Sequence, residues 1–166
     1  MKQKLSYHQT KKFTHLVNDY LSNSDDIHNF YNRYPSLENF SAQFEEKSNH
    51  KIDRKALVEV LNDQNQALAL SPLTKYNINS LFEKDTYSVT TGHQLCLFTG
   101  PLYFVYKIIS TINLAKDLRE KYPEKNFVPV FWMASEDHDF QEVNHIHLFR
   151  KKIEWNNDQK GPVGRM

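Results

Sequence analysis

Two short polar runs carry the side chains best suited to binding and proton transfer. The first reads Gly92-His93-Gln94 and continues to Thr99-Gly100-Pro101; the second reads Ser135-Glu136-Asp137-His138-Asp139. In the second, an imidazole stands between two carboxylates. A carboxylate fixes the tautomer of a neighbouring imidazole and stabilises its charged form, which suits a general base. His138 is therefore a candidate base, with Asp137 or Asp139 to orient it, and Ser135 and Glu136 stand where substrate would be held. The plainer alternative is a solvated helix start, with Ser135 as cap and Glu136 and Asp137 complementing the dipole.

The first run leads into a helix. Free N–H groups at a helix start favour a phosphate or a carboxylate. Thr99 is placed to cap or contact such an anion, and Gly92 and Gly100 let backbone approach a ligand closely. His93 and Gln94 would shape the pocket. The run is neither a Walker A loop nor a dinucleotide-binding G-x-G-x-x-G, and a simple capped turn is its rival reading. Lys107 lies about two turns into the helix, so its direction stays open. His138, His145 and His147, with Asp137 and Asp139, offer nitrogen and oxygen ligands, but no compact metal signature joins them, and no protein-bound metal is expected. Cys96, between Leu95 and Leu97, reads as a small buried apolar residue rather than a nucleophile.

The elements that must position these runs change character near Asp85. Before it the pattern is helical. Phe13, Leu16, Val17, Tyr20 and Leu21 form one apolar stripe, Asp25 or Asp26 and Ser36 are candidate caps, and Asp53 caps a longer helix with Leu57, Val60, Leu61 and Leu68. After it, Thr86 to Thr91 is β-branched and aromatic and predicts a strand closed by Gly92. Pro101 suits a first helical position, and the helix runs to about Tyr122, apolar around most of its first turns and so expected to be buried on several sides. Phe127 to Ala134 is a continuous apolar run, as in a parallel strand buried on both faces. Strand, helix and strand make a βαβ unit, and Val143 to Trp155 reads as a further strand or hairpin. In an open parallel sheet ligands bind outside the carboxyl ends of the strands, and that rule selects both polar runs.

The expected class is thus α/β: a helical segment over 1–84 packed on a core, then the first βαβ portion of an incomplete Rossmann-like parallel sheet over 85–166. Gly161 to Met166 reads as the middle of a loop, so a chain truncated at its C-terminus is expected. Composition narrows the function. With 39% hydrophobic and 25% charged residues and a net charge of +1, the chain reads as globular, without the basic field that draws nucleic acid or an anionic membrane. No apolar h-region follows Met1 and no run of about 18 apolar residues occurs, so neither a secretory signal nor a transmembrane helix is expected. A single cysteine forbids an intrachain disulfide and suits the cytoplasm.

Three stretches carry a resemblance. They are Val89-Thr90-Thr91-Gly92-His93-Gln94; Leu97-Phe98-Thr99-Gly100-Pro101-Leu102-Tyr103 with Tyr106-Lys107; and Pro129 to Phe140 with Glu142-Val143-Asn144-His145. Together they resemble the bacillithiol biosynthesis cysteine-adding family, BshC. The resemblance implies a core akin to class I nucleotidyl-transfer enzymes, helical insertions and a C-terminal coiled coil. It implies a cytoplasmic ligase that joins L-cysteine to glucosaminyl-malate through an amide bond, with ATP as the activating cofactor and magnesium accompanying it. It leaves a homodimer of the full-length protein open. There are departures: Gly92-His93-Gln94 stands where relatives commonly show Gly-Gln-Gln, and Phe98-Thr99-Gly100-Pro101 keeps the glycine but neither histidine of the H-x-G-H motif of nucleotidyl-transfer enzymes. A nucleotidyltransferase using the same rim and a non-catalytic interaction fragment are the other readings.

Overall fold

The computed structural model describes residues 3–166. It divides into two compact units, Met1–Ile52 and Asp53–Met166. Among the described residues the first carries α1 (Tyr7–Thr10), α2 (His15–Leu21) and α3 (Phe40–Ser48), with a 3-10 stretch at Asp25–Phe30. Ser24, rather than Asp25 or Asp26, caps that stretch, and Ser36 caps the turn leading to α3. The apolar stripe of α2 stays exposed; Ile27 and Phe44 form the buried apolar part of this unit.

The second unit begins with α4 (Arg54–Gln64), capped by Asp53 as its sequence predicts, and α5 (Pro72–Ser80), opened by Ser71 and Pro72. Strand β1 (Thr86–His93), helix α6 (Leu102–Lys121) and strand β2 (Asn126–Met133) follow. The two strands pair in parallel, from Thr86 opposite Asn126 to His93 opposite Met133. This is the expected βαβ arrangement, with α6 as the crossover. A short helix α7 (Phe140–Val143) and an antiparallel hairpin, β3 (His145–Leu148) with β4 (Lys151–Glu154), complete the unit.

The core lies at the amino ends of the strands. Ala115, Leu118, Phe127 and Val128 are buried where α6 meets the sheet. Polar contacts tighten the same end. Arg119 donates from Nε and Nη2 to the carbonyl of Phe127 at 2.9 and 2.6 Å. Asn126 donates to Ser80 Oγ at 3.0 Å, and Arg54 to the carbonyl of Leu81 at 2.7 Å. The carboxyl ends differ from expectation. Trp132 and Met133 are exposed, as are Leu102, Tyr106 and Ile109 of α6, so the strand is not buried on both faces nor the helix on several sides within this chain. Among the described residues the parallel sheet has two strands, and one strand pair with one helix covers only part of so much apolar surface.

Lys125 Nζ lies 2.6 Å from Asp85 Oδ1, joining the turn before β2 to the entry of β1. The hydrogen bond from Lys125 holds the Asp85 carboxyl below its usual range. A carboxylate with a depressed folded pKa adds stability above its unfolded pKa and loses it as pH falls through the folded one. Lys125→Met is therefore expected to lower the melting temperature at neutral pH, with the gap to wild type closing in acid. Melting curves between roughly pH 2 and 7 check this.

Candidate active site at the carboxyl ends of the strands

Parallel pairing carries both polar runs to one rim. The ladder extends one residue beyond β2, where Ala134 N–H donates to the carbonyl of His93, the last residue of β1, at 3.1 Å. Between the runs lies a cleft of about 450 Å³ lined by Gly92, His93, Gln94, Tyr103, Lys107, Ala134, Asp137 and Glu142.

His93 forms its floor, with a side chain 5% exposed. Its Nδ1 lies 3.0 Å from the carbonyl of Gln94, and its Nε2 lies 2.7 Å from Tyr103 Oη. Tyr103 donates to Glu142 Oε1 at 2.9 Å, while Gln94 Nε2 donates to Glu142 Oε2 at 2.6 Å. The other end of the Gln94 amide accepts from the N–H of Asp139 at 3.1 Å. One network thus joins the end of β1, the first turn of α6, and α7. The hydrogen bond from Tyr103 holds the Glu142 carboxyl below its usual range against the opposing effect of burial, with Gln94 and His93 helping. Burial, and then donation to Glu142, pushes the Tyr103 phenol up to about 12. Lys107, one turn after Tyr103 on the same face of α6, donates to the carbonyl of Gly92 at 3.0 Å and sits 5.7 Å from the Tyr103 ring centre. Its ammonium keeps two further donors.

The family described as "Bacillithiol biosynthesis BshC, N-terminal Rossmann-like domain" matches residues 1–166. The chain belongs to the BshC family. A protein of Christiangramia forsetii named "Putative cysteine ligase BshC" is 58% identical over 92% of this chain and 29% of its own length. One of the same name from Flavobacterium johnsoniae is 51% identical over 98% of this chain and 31% of its own. One from Bacillus cytotoxicus is 37% identical over 82% of this chain and 25% of its own. The chain therefore spans less than a third of the length of these BshC relatives, and its Rossmann-like fold is the one the family description names.

Within this BshC-family chain the expected site residues separate into two groups. Gly92, His93, Gln94 and Asp137 line the cleft. Asp139 meets it only through its N–H, because its side chain caps α7 by accepting from Glu142 N at 3.2 Å. His138 stays outside the lining with its side chain 86% exposed, and Asp137 Oδ1 stands 3.5 Å from its Nδ1. Glu136 accepts from the Trp132 indole at 3.2 Å, and Ser135 lies under Gly164, whose N–H donates to its carbonyl at 3.0 Å. Thr99 is exposed and does not cap α6; Pro101 precedes the helix by one residue, and among the described residues no side chain caps its first N–H groups. Cys96 Sγ lies 3.4 Å from His93 Nδ1, and burial holds its thiol above the usual range. Among the described residues no three histidine, cysteine, aspartate or glutamate side chains gather to hold a metal. No described helix is long and apolar enough to cross a membrane.

Tyr103 and Glu142 line the cleft without having been assigned a site role from sequence, and Lys107, whose direction the sequence left open, points into it. The signal was present for two of them: Tyr103 and Lys107 are four apart on one helix, directly after the Thr99-Gly100-Pro101 turn.

Proposed function

We propose that this cleft belongs to a ligase that joins the carboxyl group of L-cysteine to the amine of glucosaminyl-malate in bacillithiol biosynthesis. The observation that carries the reading is the pairing of opposite charges across one cleft, Lys107 with Glu142 and Asp137, in a chain whose relatives bear a cysteine-ligase name. Both substrates carry an amine and at least one carboxylate, and a cleft with a fixed cation and fixed anions orients such molecules by their ends.

Lys107 has two free donors beside the uncapped first turn of α6, a donor set that fits one anionic group, either a phosphate or the malate carboxylate. ATP, bound there or on another part of the protein, would supply the activation that a cysteine carboxylate lacks as an electrophile. The chain's own contribution is to hold and orient. Gln94 fixes the Glu142 carboxylate, Asp139 fixes Gln94 through its N–H, and the parallel pairing of β1 with β2 brings the two polar runs to one rim. Preorganised groups of this kind lower the barrier because they need no rearrangement when charge develops.

Incubating the complete gene product with L-cysteine, glucosaminyl-malate and ATP is expected to give the amide, detected by mass spectrometry. Lys107→Met removes one charge-assisted hydrogen bond of about 1.5–3 kcal/mol, so kcat/KM is expected to fall on the order of 10- to 100-fold. Absence of the amide in wild type, with cysteine-dependent ATP–pyrophosphate exchange intact, would replace the ligase with a nucleotidyltransferase.

A further inference from the structure

The hydrogen bonds on the cleft floor have room for one proton more than the phenol can provide. The carbonyl of Gln94 only accepts, so His93 Nδ1 must carry a proton. His93 Nε2 and Glu142 Oε1 then stand 2.7 and 2.9 Å from the same Tyr103 oxygen. Two short contacts need two protons, and a phenol has one. The second is a proton that the trio takes up, on His93 Nε2 or on Glu142, which are themselves 3.4 Å apart; before it arrives Glu142 is a carboxylate and His93 Nε2 has a free lone pair. Glu142 is the open end of this chain, its side chain 39% exposed, and His93 is the closed end.

We propose that Glu142, Tyr103 and His93 form a proton path, in which Glu142 holds the attacking amine of the substrate and the proton of that amine passes through the Tyr103 hydroxyl to His93. The proposal rests on the amide-forming reading above and names its base. An amine arriving as ammonium donates to Glu142, whose oxygens keep lone pairs beyond those used by Tyr103 and Gln94. The ammonium proton moves to Glu142, the phenolic proton moves to His93 Nε2, and the phenol regains a proton from Glu142. The amine is left with a free lone pair, the imidazole with the positive charge, and the carboxylate as it began. No electron changes hands.

The surroundings suit the transfer. From α6, Tyr103 and Lys107 face the site; from α7, Glu142; from the turn before α7, Asp137; from the loop after β1, Cys96, with its Sγ at 3.4 Å from His93. The Phe104 ring meets the imidazole edge-on at 5.7 Å and shields it from water. Because the phenol is held protonated up to about 12, it can pass a proton on without losing its own as phenolate. His138, outside the lining, has no such chain behind it.

The test compares wild type with Tyr103→Phe, Glu142→Gln and His138→Ala in the complete gene product, following amide formation against pH. Tyr103→Phe keeps the ring and breaks the path. It is expected to lower kcat about 10²- to 10⁴-fold, the range of a lost general base, with KM for cysteine unchanged. Replacing the amino sugar with hydroxylamine, whose lone pair is already free at neutral pH, is expected to restore most of the rate. If Tyr103→Phe does not fold, His93→Gln, which cannot take the proton, is read in the same way. A wild-type pH profile and rate in a folded Tyr103→Phe, or the loss appearing in His138→Ala instead, overturns the path while leaving the ligase standing. No amide from wild type overturns both.

Discussion

Replacing Phe127 by alanine is expected to cost about 3–5 kcal/mol, the range for emptying a fully buried aromatic site. Phe127 is 1% exposed and stands at the second rung of the parallel ladder, opposite Tyr87, with the two rings stacked at 6.1 Å. Its carbonyl is the acceptor for Arg119, so the side chain lies where α6, β1 and β2 are all tied together. Alanine keeps the backbone bonds and leaves a void that neighbours fill only in part. Against a typical total stability of about 5–15 kcal/mol, that loss is large. Urea unfolding followed by circular dichroism is expected to show the midpoint falling by roughly 1–3 M, given typical slopes. Leu102→Ala is the control. That side chain is 66% exposed at the start of α6, and alanine is the better helix former, so a change below about 1 kcal/mol is expected. Equal losses in the two variants would mean that the core does not lie at the amino ends of the strands.

The βαβ unit was legible because each of its elements has its own signature. Thr86 to Thr91 is β-branched, α6 has helical spacing, and Phe127 to Ala134 is an apolar run too short to be a second helix. The rim was legible for a topological reason: two parallel strands deliver their following residues to the same edge. Burial was not legible. The apolar content of α6 and β2 marks the faces able to be covered, but says nothing about what covers them, and Trp132, Met133 and Tyr106 stand exposed. Side-chain direction was not legible either. Asp137 and Asp139 flank His138 in sequence, yet Asp139 turns back to cap α7, and that cap leaves the imidazole pointing to solvent while Glu142 turns inward. Glu142 resembles any acid in a first helical turn; only the hydrogen bonds from Tyr103 and Gln94 single it out. His93 reads as a modest change within a turn, and its burial against Tyr103 makes it the imidazole that lines the cleft.

Gly100→Ala is expected to damage stability and the site together. Gly100 has φ +60° and ψ −152°, a conformation that only glycine adopts without strain, and it follows two residues, Phe98 and Thr99, that also have positive φ. A Cβ at this position would lie 2.5 Å from Cys96 Cβ and 2.9 Å from its Sγ. Backbone strain of about 1–3 kcal/mol and overpacking of similar size then act at once. Relief requires the loop to shift, and the loop holds Cys96 against His93 and sets the start of α6, which carries Tyr103 and Lys107. The expected outcome is a loss of about 2–4 kcal/mol in urea unfolding together with weaker substrate binding in the complete gene product. The two causes can be told apart. Cys96→Ala keeps the offending Cβ and is expected to rescue little of the loss; Cys96→Gly removes it and is expected to recover the overpacking share, leaving the strain. A double-mutant cycle measures that coupling directly. Full rescue by Cys96→Gly would show that contact alone makes glycine necessary here, and no rescue would assign the requirement to the backbone turn that brings α6 up to the rim.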